Sequence, residues 1–220
     1  MPSERFSRQS KLISPGEQSR LHDSNVAIVG CGGLGSQVIA DLVSAGVGGF
    51  VLIDPDTVSE SNLNRQFIHF GRVGGLKTCS ARDWILNASP DARVTEYATA
   101  LDEDSAPDII AKCDIAVDCL DNVPSRLILA KACRDAGRIL VHGGVEAYCG
   151  QVATFLPSSG FTMEKLMRSD VPDHVSYAPA VSVVGALMAH SVISALLGRP
   201  EEGLTVVDVS AGSVRKVPVH

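Results

Sequence analysis

The sequence predicts an α/β protein: a mostly parallel sheet with helices on both faces, extended by C-terminal antiparallel strands. Two observations carry the prediction. Up to about residue 145, short apolar runs alternate with stretches of helical character. Such runs lack polar alternation, as strands covered on both faces require. After Gly150 the rhythm changes, and the chain closes on two short strand-like runs.

The elements follow in order. Val26-Ala27-Ile28-Val29 is the first strand, and Gln37 to Ala45 the first helix. Phe50 to Asp54 is the second strand. The stretch from Pro55 to Gly75 is polar and irregular, and a loop of that length in a compact domain is commonly functional. Leu76 to Ala88 reads as a helix stopped by Pro90, Arg93 to Tyr97 as a strand, and Asp104 to Lys112 as a helix. Ile115 to Asp118 is a strand that leads through Asp121-Asn122 into a helix over Ser125 to Ala136, and Arg138 to His142 is the next strand. Gln151 to Leu156 is a strand of a different kind, and Ser158 to Asp173 is irregular with at most one short helix. A long apolar helix follows, then strands at Thr205 to Asp208 and Val214 to Val219. The expected organisation is one domain over residues 1–220, with a nucleotide-binding half near 24–145 and a sheet-completing region near 146–220.

Composition narrows the class. At 220 residues and 45% hydrophobic content the chain can bury a substantial core. A formal net charge of -6 makes it a poor non-specific binder of nucleic acid. Met1 to Arg5 does not read as a signal peptide, and the apolar stretch Ala178 to Gly198, interrupted by Pro179 and His190, reads as a buried helix. The expectation is a cytoplasmic protein with no membrane partner. Cys31, Cys79, Cys113, Cys119, Cys133 and Cys149 form no Cys-x-x-Cys pair, so zinc of the usual spacing is unsupported and packed thiols are expected.

Gly30-Cys31-Gly32-Gly33-Leu34-Gly35 lies between a predicted strand and a predicted helix. Glycines allow the tight turn and a close approach of phosphate, and the helix N-terminus supplies N–H donors and partial positive charge. Asp54 ends the second strand where a ribose-binding acid belongs. This Rossmann-like signature fits NAD, FAD or an adenine nucleotide alike. The following loop separates them. Asp54-Pro55-Asp56-Thr57-Val58-Ser59-Glu60-Ser61-Asn62-Leu63-Asn64-Arg65-Gln66 is too polar for a dehydrogenase crossover. Arg65 offers a planar fork to phosphate, Lys77 opens the next helix, and Asp121 stands at the strand end where ligands bind in open α/β sheets and could hold Mg²⁺.

With those residues in view, the chain resembles the ThiF/MoeB/HesA family, bacterial E1-like adenylyltransferases related to ubiquitin-activating enzymes. The similarity rests on Arg5-Phe6-Ser7-Arg8-Gln9, Gly30 to Gly35, Asp54 to Gln66, Lys77, Asp118-Cys119-Leu120-Asp121-Asn122 and Gly150-Gln151 with Val152 to Phe155. It runs from Arg5 to about Leu197. The resemblance implies ATP and Mg²⁺, and activation of the C-terminal glycine carboxylate of a ubiquitin-like sulfur carrier ending in Gly-Gly. It implies Gly30, Gly32, Gly33, Gly35, Asp56, Gln66 and Asn122 around the nucleotide, and Asp54 at the ribose. It places Asn62, Arg65 and Lys77 on phosphates, Asp121 on the metal, and Arg8 in the partner's site of a homodimer.

The sequence departs from the family pattern at two places. Pro157-Ser158-Ser159-Gly160 stands where the first zinc-binding cysteine pair would fall, so no zinc is expected. The crossover stretch Pro172-Asp173-His174-Val175-Ser176-Tyr177-Ala178-Pro179 has no cysteine, which puts a sulfur-transfer step from there in doubt; His174 reads as a solvated loop histidine and Cys149 as a packed thiol. Three other readings stay open: adenylation of a tRNA-linked carboxylate, an NAD-dependent oxidoreductase, and a non-catalytic carrier-binding paralogue.

Overall fold

The computed structural model describes residues 4–167 and 175–219. The strands are β1 (Asn25–Val29), β2 (Gly49–Ile53), β3 (Arg93–Tyr97), β4 (Ile115–Asp118), β5 (Ile139–Glu146), β6 (Cys149–Phe155), β7 (Gly203–Asp208) and β8 (Ser213–Val217). They form one sheet in the order β3-β2-β1-β4-β5-β6-β7-β8. From β3 to β5 every pairing is parallel, and from β5 to β8 every pairing is antiparallel. β5 is therefore the strand at which the sheet changes sense.

The helices are α1 (Pro15–Asp23), α2 (Gly33–Ala45), α3 (Lys77–Ala88), α4 (Ala106–Ile110), α5 (Val123–Asp135), α6 (Met163–Leu166) and α7 (Ala178–Leu196). The twofold side-chain period of the strands divides the core between two faces. Val26 and Ile28 of β1, with Phe50 and Leu52 of β2, pack with residues of α1, α2, α3 and α7. Ala27 and Val29, with Val51 and Ile53, pack on the other face with residues of α4, α5 and α6. All nine of the residues in β1 and β2 other than Asn25 are buried, which is why these runs carry no polar alternation.

α7 is long and apolar enough to cross a membrane by length and composition alone. Here it packs on α2, β5 and β6. The polar stretch after β2 is not structureless. Two short 3₁₀ turns, Glu60–Asn62 and Phe67–His69, fold it back so that Thr57 bridges Leu76. The first turn is held reciprocally, with the Ser59 N–H donating to Asn62 Oδ1 at 3.0 Å.

Candidate functional site

The parallel half of the sheet opens a cleft at the C-terminal ends of β1, β2 and β4, the edge where open α/β sheets receive ligands. Its volume is about 460 Å³. The turn between β1 and α2 forms its floor. Gly30 has φ of +96°, and a Cβ there would stand 2.6 Å from the Cys119 carbonyl oxygen. A side chain at Gly35 would stand 2.1 Å from the Gly30 carbonyl oxygen, so Gly35 lets α2 sit down on the turn. Gly32 differs: a Cβ would meet only Gln66 Nε2, at 3.5 Å. It caps α2 without a side-chain hydrogen bond, so the first N–H groups of α2 border the cleft with no capping side chain.

Asp54 closes the wall beside the turn. It is 5% exposed, and its two oxygens accept the N–H groups of Cys31 at 2.7 Å and Asp56 at 2.8 Å. Burial raises its pKa above the ordinary carboxylate value, against the opposing pull of Lys77 and those two N–H groups. Beneath the turn, fully buried His69 faces the Cys31 carbonyl through Nε2 at 2.8 Å and Ser80 Oγ through Nδ1 at 2.9 Å. It ties the glycine turn to α3. Burial is the main cause that lowers the His69 pKa.

Cationic and amide groups stand along the same cleft. Lys77, at the head of α3, is buried and pairs with the exposed Asp56 carboxylate at 2.7 Å. Folding of the 55–75 stretch against the head of α3 shields Lys77 from solvent, and its backbone N–H donates to the Asp56 carbonyl at 3.0 Å. Arg65 donates to the Ser61 carbonyl and to Asn64 Oδ1, leaving donors of its five for an anion. Buried Gln66 has its Oε1 without a hydrogen-bond partner among the described residues. Asp121 is exposed, with Asn122 Nδ2 at 3.4 Å from Oδ1. Asn122 caps α5 by accepting the Ser125 N–H at 3.0 Å, which leaves Asp121 free of the capping role.

Gly30, Gly32, Gly33, Asp54, Asp56, Asn62, Arg65, Gln66, Lys77, Asp121 and Asn122 thus line one cleft. Gly35 supports it from below. Arg8 is exposed and is not among the cleft-lining residues of its own chain. His174 lies outside the described residues. Cys149 is exposed, which corrects the expectation of a packed thiol: it opens β6 at the β5–β6 turn, where the burial of that strand has not begun. Cys31, Cys113 and Cys133 are buried, and burial raises their pKa values.

Two features escaped the sequence reading. Arg126, on the first turns of α5, lines the cleft and donates to the Leu120 carbonyl. Asp118, His142 and Gln151 form a hydrogen-bonded row across β4, β5 and β6. A polar residue that ends an apolar strand run, as Asp118 does, or interrupts one, as His142 does, is the signal that could have found the row.

Fold and cleft together define a Rossmann-like protein built to take a nucleotide. The family model described as ThiF family matches residues 6–219. The molybdopterin-synthase adenylyltransferase of Escherichia coli is 37% identical over 200 residues, covering 86% of this chain and 80% of the relative. The SAMP-activating enzyme E1 of Haloferax volcanii is 34% identical over 187 residues, covering 84% of this chain and 69% of the relative. A crystal structure of E. coli MccB with AMPCPP and MccA superposes with a TM-score of 0.86 at 23% identity, covering 99% of this chain and 71% of that one, which supports the fold. The chain belongs to the ThiF family, and it is an enzyme of the E1-like adenylyltransferase class.

Proposed function

We propose that this enzyme activates the C-terminal glycine carboxylate of a small ubiquitin-like sulfur carrier ending in Gly-Gly. ATP is the co-substrate, and the products are a carrier acyl-adenylate and pyrophosphate. The observation that carries the proposal is the convergence of Arg65, Lys77 and Asp121 on the cleft floored by the glycine turn. The relatives named above act, by their names, on molybdopterin synthase and on SAMP, which supports a protein substrate.

The residues divide the work. The N–H groups at the head of α2 receive phosphate, where the helix dipole favours negative charge. Asp54 keeps its place through two N–H donors and offers its remaining lone pairs to ribose hydroxyls. Arg65 and Lys77 bear on the phosphates and offset charge that grows as the carboxylate oxygen attacks the α-phosphorus and the bond to pyrophosphate breaks. A carboxylate is already a nucleophile at neutral pH, so no general base is required. Asp121 fits Mg²⁺ as a single exposed carboxylate beside the phosphates, the arrangement Mg²⁺ commonly takes. When bound, Mg²⁺ would supply neutralisation of the leaving pyrophosphate. Arg8, exposed on the N-terminal segment, would act in the cleft of a partner subunit of a homodimer. With no cysteine in the crossover stretch, the activity ends at adenylation. The proposed location is the cytoplasm.

The test is ATP–pyrophosphate exchange with Mg²⁺ and candidate Gly-Gly carriers. Carrier-dependent exchange that disappears in Asp121→Ala and Arg65→Ala supports the proposal. ATP binding without exchange for any carrier refutes the carrier assignment, and failure to bind ATP refutes the whole reading.

A further inference from the structure

Asp118 and His142 are fully buried at neighbouring positions of β4 and β5, and the chemistry proposed above gives neither a role. His142 Nδ1 lies 2.7 Å from Asp118 Oδ2. On the other side of the ring, Gln151 Nε2 lies 3.2 Å from His142 Nε2. An amide nitrogen only donates, so His142 Nε2 accepts and Nδ1 carries the hydrogen that goes to Asp118. The second oxygen of Asp118 accepts the N–H of Leu120 at 3.0 Å. The carbonyl of the same Leu120 accepts from Arg126 Nη2 at 2.5 Å.

Leu120 is therefore held at both backbone groups by side chains, and the next residue is Asp121. The segment is anchored before this point by the Cys119 N–H on the Val29 carbonyl, at 2.9 Å, and after it by the Asn122 cap. Packing alone does not account for the row. Apolar side chains would fill the same space without a buried carboxylate, whose desolvation must be offset by the donors arranged around it.

We infer that His142 is a positioning residue: oriented by Gln151, it fixes Asp118, which through Leu120 sets the Asp121 carboxylate at the cleft. The inference rests on the proposed role of Asp121 toward Mg²⁺ and phosphate. Asn places an amide nitrogen near the place of Nδ1, Gln places one near the place of Nε2, and Leu offers no donor. The experiment compares His142→Asn, His142→Gln and His142→Leu in two measurements. One is hydrogen exchange at the Leu120 amide; the other is the Mg²⁺ concentration for half-maximal ATP–pyrophosphate exchange.

In the Leu and Gln variants the Leu120 amide exchanges about tenfold faster, as a local opening of about 1.4 kcal/mol implies. The Mg²⁺ requirement rises about 10- to 100-fold, the range seen when a ligand's supporting partner is lost. The Asn variant restores both toward wild type. Equal behaviour of the Asn and Gln variants, or wild-type values in both, overturns the inference, and this comparison survives a Leu variant that fails to fold. A wild-type enzyme without Mg²⁺-dependent exchange would refute the assigned activity instead, while the Leu120 amide would still decide whether His142 holds the segment.

Discussion

Gly32 and Gly35 belong to one turn and place opposite demands on a side chain. At Gly35 an added Cβ runs into the backbone of Gly30, with no flexible atom to yield. Gly35→Ala should destabilise the fold by at least about 1–3 kcal/mol, as overpacking does, and calorimetry checks it. At Gly32 the added methyl meets only Gln66 Nε2, at ordinary contact distance, but stands where phosphate would approach. Gly32→Ala should keep its Tm within a degree or two, roughly, since surface-type changes rarely exceed about 0.5 kcal/mol, yet weaken ATP binding in titration calorimetry. Asp121→Ala should keep the fold, because the side chain is exposed, and lower exchange by about 10²–10³-fold, the scale for losing one preorganised charge-stabilising group. His69 makes stability depend on pH. Its folded pKa lies below the ordinary imidazole value, so its contribution to stability is complete above 6.5. It is lost as the pH falls from there through the lowered value. His69→Gln should flatten that limb of a Tm-against-pH curve.

At the scale of elements, the legibility of the sequence followed burial. β1, β2 and β4 were readable because both faces of each are covered and the run is unbroken apolar. α1 was missed although Ser14 and Glu17 form a capping box at its start. Only Leu21 of its residues is buried, so it carries no apolar stripe for a periodicity reading to detect. The sequence predicts α2 from Gln37, yet it begins at Gly33, where packing against the turn outweighs the low helix propensity of glycine. α4 is limited to Ala106–Ile110, shorter than the stretch expected from Asp104 to Lys112. In the site, the charged groups were legible from residue type. The supporting row of Asp118, His142 and Gln151 was not, because it depends on which strands are neighbours. Asn122→Ala removes the α5 cap and should cost about 1 kcal/mol in denaturant unfolding.

At the scale of the whole molecule, the proposed homodimer and the trans action of Arg8 are open to a mixing experiment. Arg8→Ala and Asp121→Ala should each be inactive alone. If Arg8 serves the neighbouring subunit, re-equilibrated mixtures contain dimers with one intact site. Activity should then return to about a quarter of wild type, and no recovery would place Arg8 elsewhere. ATP with Mg²⁺ at a hundred times its Kd should stabilise the protein by about 2.7 kcal/mol, and NAD should not.

The change of strand sense at β5 has a consequence for the order in which the molecule forms. Beyond β5, Glu146 pairs with Cys149 and Asp208 with Ser213, so these ladders close over very short spans of chain. Before β5, Val26 must find Ile115. Closing the longer span loses more chain entropy and slows pairing. The cleft opens at the ends of β1 and β4, so the proposed nucleotide site should be completed late, after the hairpins have closed. ATP would then meet almost no site in the transition state for folding. Stopped-flow refolding should show a folding rate indifferent to ATP and an unfolding rate slowed by it. The nucleotide would act as a latch on the finished protein, with no part in its assembly.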